Sequence, residues 1–299
     1  MDLQQLDTLL AIMEEGTFDA AARRLHLTPS AVSQRVRALE RAAGQVLVKR
    51  TTPCTVTPAG EPLLRLARQV RLMLAEAAAD LPVGDPDVRS STGVVDLPVA
   101  VNADSLGYWL HPVLDDVAGW PRVALRLYVD DESHSHDLLR SGEVLAAVTS
   151  EPRPVQGCSV EPLGAARYTP CAVPWLIERH RKGRGVDWEA MPMVTFNEKD
   201  TLQDRTLEAH GARRPVIVHR VPSTQDFHEA VRRGLGWGML LEEQMRRDLG
   251  SGTTVRIPGG RPVDVPLFWQ RWRLDSPLLD RLTESVRTAA AAELRHPRG

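Results

Sequence analysis

A chain of 299 residues, 42% hydrophobic and 25% charged, has an ordinary globular composition and suits two or three domains. It holds no run of about 18 apolar residues, which excludes a membrane-spanning helix of that kind, and its polar start, Met1-Asp2-Leu3-Gln4-Gln5, has no apolar signal core, so the cytoplasm is the expected location. Cys54, Cys158 and Cys171 are odd in number and widely spaced, which excludes a disulfide framework and gives no metal-ligand spacing. The net charge of −2 is unevenly spread: ten basic against three acidic residues between Thr17 and Arg71 give that segment +7 and leave −9 for the rest, as suits a DNA-binding head on an acidic sensor body.

Helical spacing predicts a first helix over 3–14, ended by Gly16, and a second over 18–25 capped by Thr17. A third starts on Thr28 as N-cap with Pro29 in its first turn and runs to Gly44. Its inner face is Ala31 or Val32, Val36 and Leu39; its outer face is Ser30, Ser33, Gln34 and Arg37. Two short strands, 45–49 and 55–57, joined by the Arg50-Thr51-Thr52 turn, form a wing. The first domain is thus 1–60. A helix over 58–81 repeats Leu63, Ala67, Val70, Leu74, Ala77 and Leu81 in alternating steps of four and three, a seam for dimerisation; packing on its own domain is the alternative. Residues 82–92, rich in Pro, Gly, Asp and Ser, are a linker.

From 93 to 299 strands alternate with helices. Strands are expected at 94–101, 124–129, 145–149, 193–196, 216–221, 238–241 and 254–257, and helices at 105–117, 135–141, 201–210, 225–233, 242–249 and 276–294. This alternation implies parallel or mixed sheets covered on both faces, in a run long enough for two small α/β lobes. The Gly234-to-Gly238 run follows a helix and lacks phosphate-loop spacing, so it reads as a tight turn.

A helix–turn–helix reads DNA with the N-terminal side chains of its second helix. Here these are Thr28, Pro29, Ser30, Ser33, Gln34 and Arg37: Gln suits adenine, Arg suits guanine, and Pro can touch a thymine methyl. Arg50, Thr51 and Thr52 are placed for the flanking backbone or minor groove, and Arg35 for phosphate or for an acid such as Glu40. The run from Phe18 through Ala20-Ala21-Ala22-Arg23-Arg24-Leu25, Leu27-Thr28-Pro29-Ser30-Ala31-Val32-Ser33-Gln34-Arg35-Val36, Leu39-Glu40 and Gly44, continued by Arg50 and Thr57-Pro58-Ala59-Gly60, resembles the winged-helix signature of LysR-type regulators.

The resemblance implies a winged helix-turn-helix, a long linker helix and a two-lobed, periplasmic-binding-protein-like α/β sensor, with lobe I near 93–165 and 268–299 and lobe II near 166–267. It also implies a homodimer or homotetramer on double-stranded operator DNA, a small-molecule effector between the lobes, contact with RNA polymerase, and no enzymatic activity. Strand ends and helix starts place Asn102, Asp104, Ser105, Asp130, Glu132, Thr149, Asn197, Asp200 and Thr224 at the cleft. These loops are acidic, and carboxylates in a cleft call for a cation. Ser105 and the amides opening its helix suit a carboxylate. Ala100-Val101-Asn102-Ala103-Asp104-Ser105 with Trp109-Leu110, Gly44-Gln45-Val46-Leu47-Val48 and Pro266-Leu267-Phe268-Trp269-Gln270 are similar to the ArgP/LysG branch of that family, which implies lysine or arginine as effector and control of a basic amino acid exporter. The alternatives are another effector, such as an organic acid, or a nucleoid- or origin-type DNA protein without a metabolite. His134 and His136 do not converge as metal ligands, no nucleophile–base pair stands out, and neither a metal nor a cofactor is expected.

Overall fold

The computed structural model describes residues 1–80, 94–129 and 132–295. The predicted linker and Asp130 lie outside the described residues.

Three helices open the chain: α1 (Leu3–Glu15), α2 (Phe18–Arg24) and α3 (Pro29–Ala43). Each start is fixed by a side-chain oxygen: Asp2 accepts the Gln5 N–H, Thr17 that of Ala20, and Thr28 that of Ala31. Gly16 and Gly44 close α1 and α3 at φ 74° and 69°, the left-handed region that glycine enters without steric cost. Leu9, Leu10 and Ile12 of α1 meet Ala21, Ala22, Val32, Val36 and Leu39 in one core. Full burial of each larger side chain contributes about 1.5–3 kcal/mol.

The wing pairs β1 (Val48–Lys49) with β2 (Thr55–Val56), antiparallel. It is shorter than predicted because the Gln45 N–H goes to the Glu40 carbonyl and the Val46 carbonyl takes the Thr57 hydroxyl. The next helix, α4 (Glu61–Asp80), begins three residues later than expected. Thr57 to Gly60 fold instead as a turn against the wing: the Gly60 N–H reaches the Thr57 carbonyl, and a Cβ at Gly60 would stand 2.4 Å from the Leu47 carbonyl oxygen. The predicted seam divides. Leu63 and Ala67 pack on the head, Leu74 and Ala77 are exposed, and Leu81 lies outside the described residues. Leu72, off the seam, enters the sensor core.

The sensor runs β3 (Val95–Val101), α5 (Ala103–Gly107), α6 (His111–Ala118), β4 (Val123–Val129), α7 (Glu132–Ser141), β5 (Ala146–Thr149), β6 (Cys158–Ala172), α8 (Pro174–Arg179), β7 (Arg181–Lys182), β8 (Gly185–Val186), β9 (Met193–Thr195), α9 (Leu202–Ala209), β10 (Val218–Arg220), α10 (Thr224–Arg232), β11 (Gly238–Leu241), α11 (Glu242–Ser251), β12 (Val255–Arg256), β13 (Val263–Trp272) and α12 (Pro277–Glu293). The single helix expected over 105–117 is two. Pro112 lacks the N–H that a continuous helix would need there, and it sits instead in the first turn of α6, where none is needed.

The main sheet has the order β11-β6-β13-β5-β3-β4, with β12 also paired to β6. β3 is parallel to β4 and β5, and the long strands β6 and β13 run antiparallel to each other, with a register shift between Leu267 and Phe268. A second, two-stranded parallel sheet joins β9 and β10.

Helix α4 joins head to sensor by helix ends. The buried Glu76 accepts the Ser276 hydroxyl at 2.6 Å and the Leu278 N–H at 3.1 Å, where α12 begins. Arg65 and Arg68 donate to the carbonyls of Arg140 and Ser141, at 3.0 and 2.9 Å, where α7 ends. An anion at a helix start and cations at a helix end both suit the helix dipole. Among the described residues no helix is long and apolar enough to cross a membrane.

Candidate functional site

Two sites emerge, one on the head and one in the sensor. On the head, Val32, Val36 and Leu39 are buried, which turns the opposite face of α3 outward. Thr28, Pro29, Ser30, Gln34 and Arg37 are exposed, and Ser33 is half-buried. The wing turn exposes Arg50, Thr51 and Thr52. The Arg50 guanidinium lies 4.4 Å from the centre of the Phe18 ring, and the Thr51 hydroxyl donates to the Pro53 carbonyl at 2.6 Å. Arg35 departs from expectation. It is half-buried and its guanidinium reaches the Thr8 hydroxyl at 3.5 Å, so it ties α3 to α1. Glu40 does not pair with it; it accepts the Leu47 N–H at 3.0 Å and anchors the wing.

The charge of this segment is also partly committed within the chain. Arg24 and Arg71 both pair with Glu14, at 2.6 and 2.7 Å, while Arg65 and Arg68 are held at the end of α7. Arg23, Arg37, Arg41, Lys49 and Arg50 remain exposed on the head.

In the sensor, β3 delivers α5 to the boundary between lobes. The Asn102 side chain accepts the Ser105 N–H at 2.7 Å and so caps α5. Asp104, the second residue of α5, is held among the described residues by hydroxyls: Tyr168 of β6 donates at 2.7 Å and Thr224, opening α10, at 3.1 Å. Burial pushes the Asp104 carboxyl above its ordinary range; the two hydroxyl donors oppose this and the nearby Asp200 carboxylate adds to it. Ser105 is buried and its hydroxyl has no partner among the described residues. A second bond between lobes runs from the Gln244 side-chain amide of α11 to the Tyr108 hydroxyl.

A cavity of about 50 Å³ opens beside these contacts. Asn102, Asp104 and Ser105 line it, together with Tyr108, Trp109 and Tyr168, which sequence reasoning did not select. Its mouth carries Glu243 and Arg246 of α11 and the end of α12. Thr224 belongs to the site through its bond to Asp104.

The other expected residues stand elsewhere. Thr149 is buried, donating to the Glu151 carbonyl and receiving the Gln270 amide, and does not line the cavity. Asn197 and Asp200 shape their own loop: Asn197 accepts the Lys199 N–H, and Asp200 those of Phe196 and Leu202. Glu132 opens α7. His136 faces the Gln270 amide at 3.3 Å, and among the described residues no group of three or more His, Cys, Asp or Glu is placed to hold a metal ion. Tyr168 stands in no motif, and Trp109 entered the sequence reading only through the Trp109-Leu110 resemblance, with no role assigned. Only the partner that Asp104 needs would have pointed to Tyr168.

Comparison with known proteins adds an independent finding. Residues 3–61 match the model of the bacterial regulatory helix-turn-helix proteins of the lysR family, and residues 96–291 that of the LysR substrate binding domain. The lysine export transcriptional regulatory protein LysG of Corynebacterium efficiens is 48% identical over 294 residues, covering 97% of this chain and 98% of that one. Among solved structures, ArgP from Mycobacterium tuberculosis is similar with a TM-score of 0.87 at 43% identity, over 99% of this chain and 100% of that one. Full-length LysG from Corynebacterium glutamicum with bound effector Arg gives 0.82 at 45%, again over 99% and 100%.

Proposed function

Because the chain belongs to the LysR family of bacterial transcriptional regulators, we propose that its sensor takes a basic amino acid, lysine or arginine, in the cavity at Asp104, and that the regulator controls a basic amino acid exporter. The observation that carries the effector is Asp104 itself. Its carboxylate stands between the lobes with hydroxyls for partners and a second carboxylate nearby, so a cation is the group its surroundings favour. The relative from C. efficiens is named for lysine export, and the solved LysG of C. glutamicum carries arginine. Ser105 at the start of α5 suits the carboxylate of such a ligand.

On the head, Ser30, Ser33, Gln34 and Arg37 are read as facing base edges in the major groove, with Thr28 and Pro29 at its lip and Arg50, Thr51 and Thr52 on the backbone. The protein works as a dimer or tetramer, and the face of α4 with Leu66, Met73 and Leu74 exposed at 36%, 46% and 53% supports that reading. The functional units are 1–60, 58–81 and 93–299. A regulator of this kind acts on chromosomal DNA in the cytoplasm, beside RNA polymerase, and is not an enzyme. Ligand moves the head only through different affinity for two arrangements of the lobes.

A thermal-shift titration with lysine, arginine, histidine and a set of organic acids tests the effector. A saturable rise with lysine or arginine is expected. A rise with an organic acid alone contradicts the cationic site.

A further inference from the structure

Trp109 follows the short helix α5 and lines the same cavity as Asp104 and Ser105. It is 4% exposed and Ser105 is 1% exposed, yet neither the Trp109 indole Nε1 nor the Ser105 Oγ has a hydrogen-bond partner among the described residues. Burying an unmade donor costs free energy that folding does not return, so such a group asks for an explanation. Three other indoles of the sensor are satisfied: Trp120 donates to Asp116, Trp269 to the Thr283 hydroxyl and Trp272 to the Leu139 carbonyl. Trp237 also lacks a partner, but it does not line the cavity and packs edge-on against Trp188 with ring centres 4.9 Å apart.

An indole N–H only donates, and a serine hydroxyl can donate. Asp104 does not answer them: its oxygens receive Tyr168 and Thr224, and neither unmade donor lies within hydrogen-bond distance of them. Two unmade donors beside a carboxylate therefore define a ligand with two ends: an acceptor for the donors and a cation for Asp104. A carboxylate accepts two donors at once and forms the stronger, charge-assisted bonds.

We propose that Trp109 is a ligand-positioning residue whose indole N–H, together with the Ser105 hydroxyl, receives the carboxylate of the bound small molecule. The proposal rests on the reading of this cavity as the effector site and extends it to the ligand's other end. It makes the sensor select molecules that carry a free carboxylate as well as a cation, and reject esters, amides and simple amines.

The test uses the full-length protein with ¹⁵N-labelled tryptophan indoles. Its seven tryptophans give seven signals, and Trp109→Phe, which keeps a ring in place, identifies the one from Trp109. The probes are arginine, argininamide, which lacks the carboxylate, and malate, which lacks the cation. The Trp109 signal is expected to move saturably with arginine and little with argininamide. In calorimetry Trp109→Phe should weaken arginine about tenfold and argininamide hardly at all. If arginine has no effect and malate moves the Trp109 signal, the basic-effector reading fails while the role of Trp109 stands. If no probe moves that signal, or if Trp109→Phe weakens arginine and argininamide equally, the proposal is overturned. Should that variant fail to fold, Ser105→Ala, which alters the same cavity, marks the Trp109 signal by its shift and takes its place in the calorimetry.

Discussion

Arg37 on α3 and Arg68 on α4 belong to the same basic segment, yet they serve different ends. Arg37 stands exposed on the outer face of the third helix. Arg68 reaches across to the Ser141 carbonyl at 2.9 Å, and burial lowers its guanidinium from the ordinary value. Glu76, two turns further along α4, is likewise consumed inside the molecule, at the start of α12. The difference teaches that a charge count locates a DNA-binding head only coarsely. A side chain free to meet DNA is one that its own fold has left without work, and in α4 the fold has assigned that work to the joint with the sensor.

Substitution separates the two regions. Glu76→Ala should have the largest effect, about 3 kcal/mol lost in urea denaturation, because it strips two hydrogen bonds to a charged group from a buried helix start. Glu76→Gln, which keeps an acceptor, should restore much of it. Arg37→Ala should cost about 1–3 kcal/mol of operator affinity for a lost base contact and leave stability within about 0.5 kcal/mol. Arg68→Met should do the reverse, lowering stability by about 1–2 kcal/mol with operator discrimination unchanged. If Arg68→Met relaxes discrimination as Arg37→Ala does, the contrast between the helices is wrong.

Asp104 sharpens the comparison, being a half-buried carboxyl that the chain, among the described residues, meets with hydroxyls. Its carboxyl is raised, so the folded state holds its proton at pH values where the unfolded chain has released it. Stability at this group therefore falls as pH rises from the ordinary aspartate range through the raised value. Asp104→Asn should remove that slope and make the ligand-free protein more stable at neutral pH. Denaturation midpoints compared at acidic and neutral pH check it, and a variant that tracks the wild type at both would contradict it.

The same contrast explains what the sequence disclosed. The head is built from local signals: Thr17, Thr28 and Pro29 start helices, Gly16 and Gly44 stop them, and the spacing of Val32, Val36 and Leu39 settles which face of α3 is free. The partner of Arg35 is Thr8 on another helix and not Glu40, which spacing within α3 does not show. The sensor site depends on contacts between distant segments. Asp104 meets Tyr168 from β6 and Thr224 from α10, and nothing near Asp104 in sequence announces either. Strand β6 was itself hidden, since Pro162, Gly164 and Pro170 discourage a strand; the register shift opposite Gly164 lets it pass. Asn197 and Asp200 stand at a strand end, as expected, but their oxygens close the loop that carries them.

The most direct test of the cationic site is calorimetric titration of arginine into the wild-type protein and into Asp104→Asn at neutral pH. Saturable binding to the wild type that falls by tenfold or more in the variant, about 1.4 kcal/mol or more, is the expected result. Equal affinity in the two proteins would mean that Asp104 does not meet the cation.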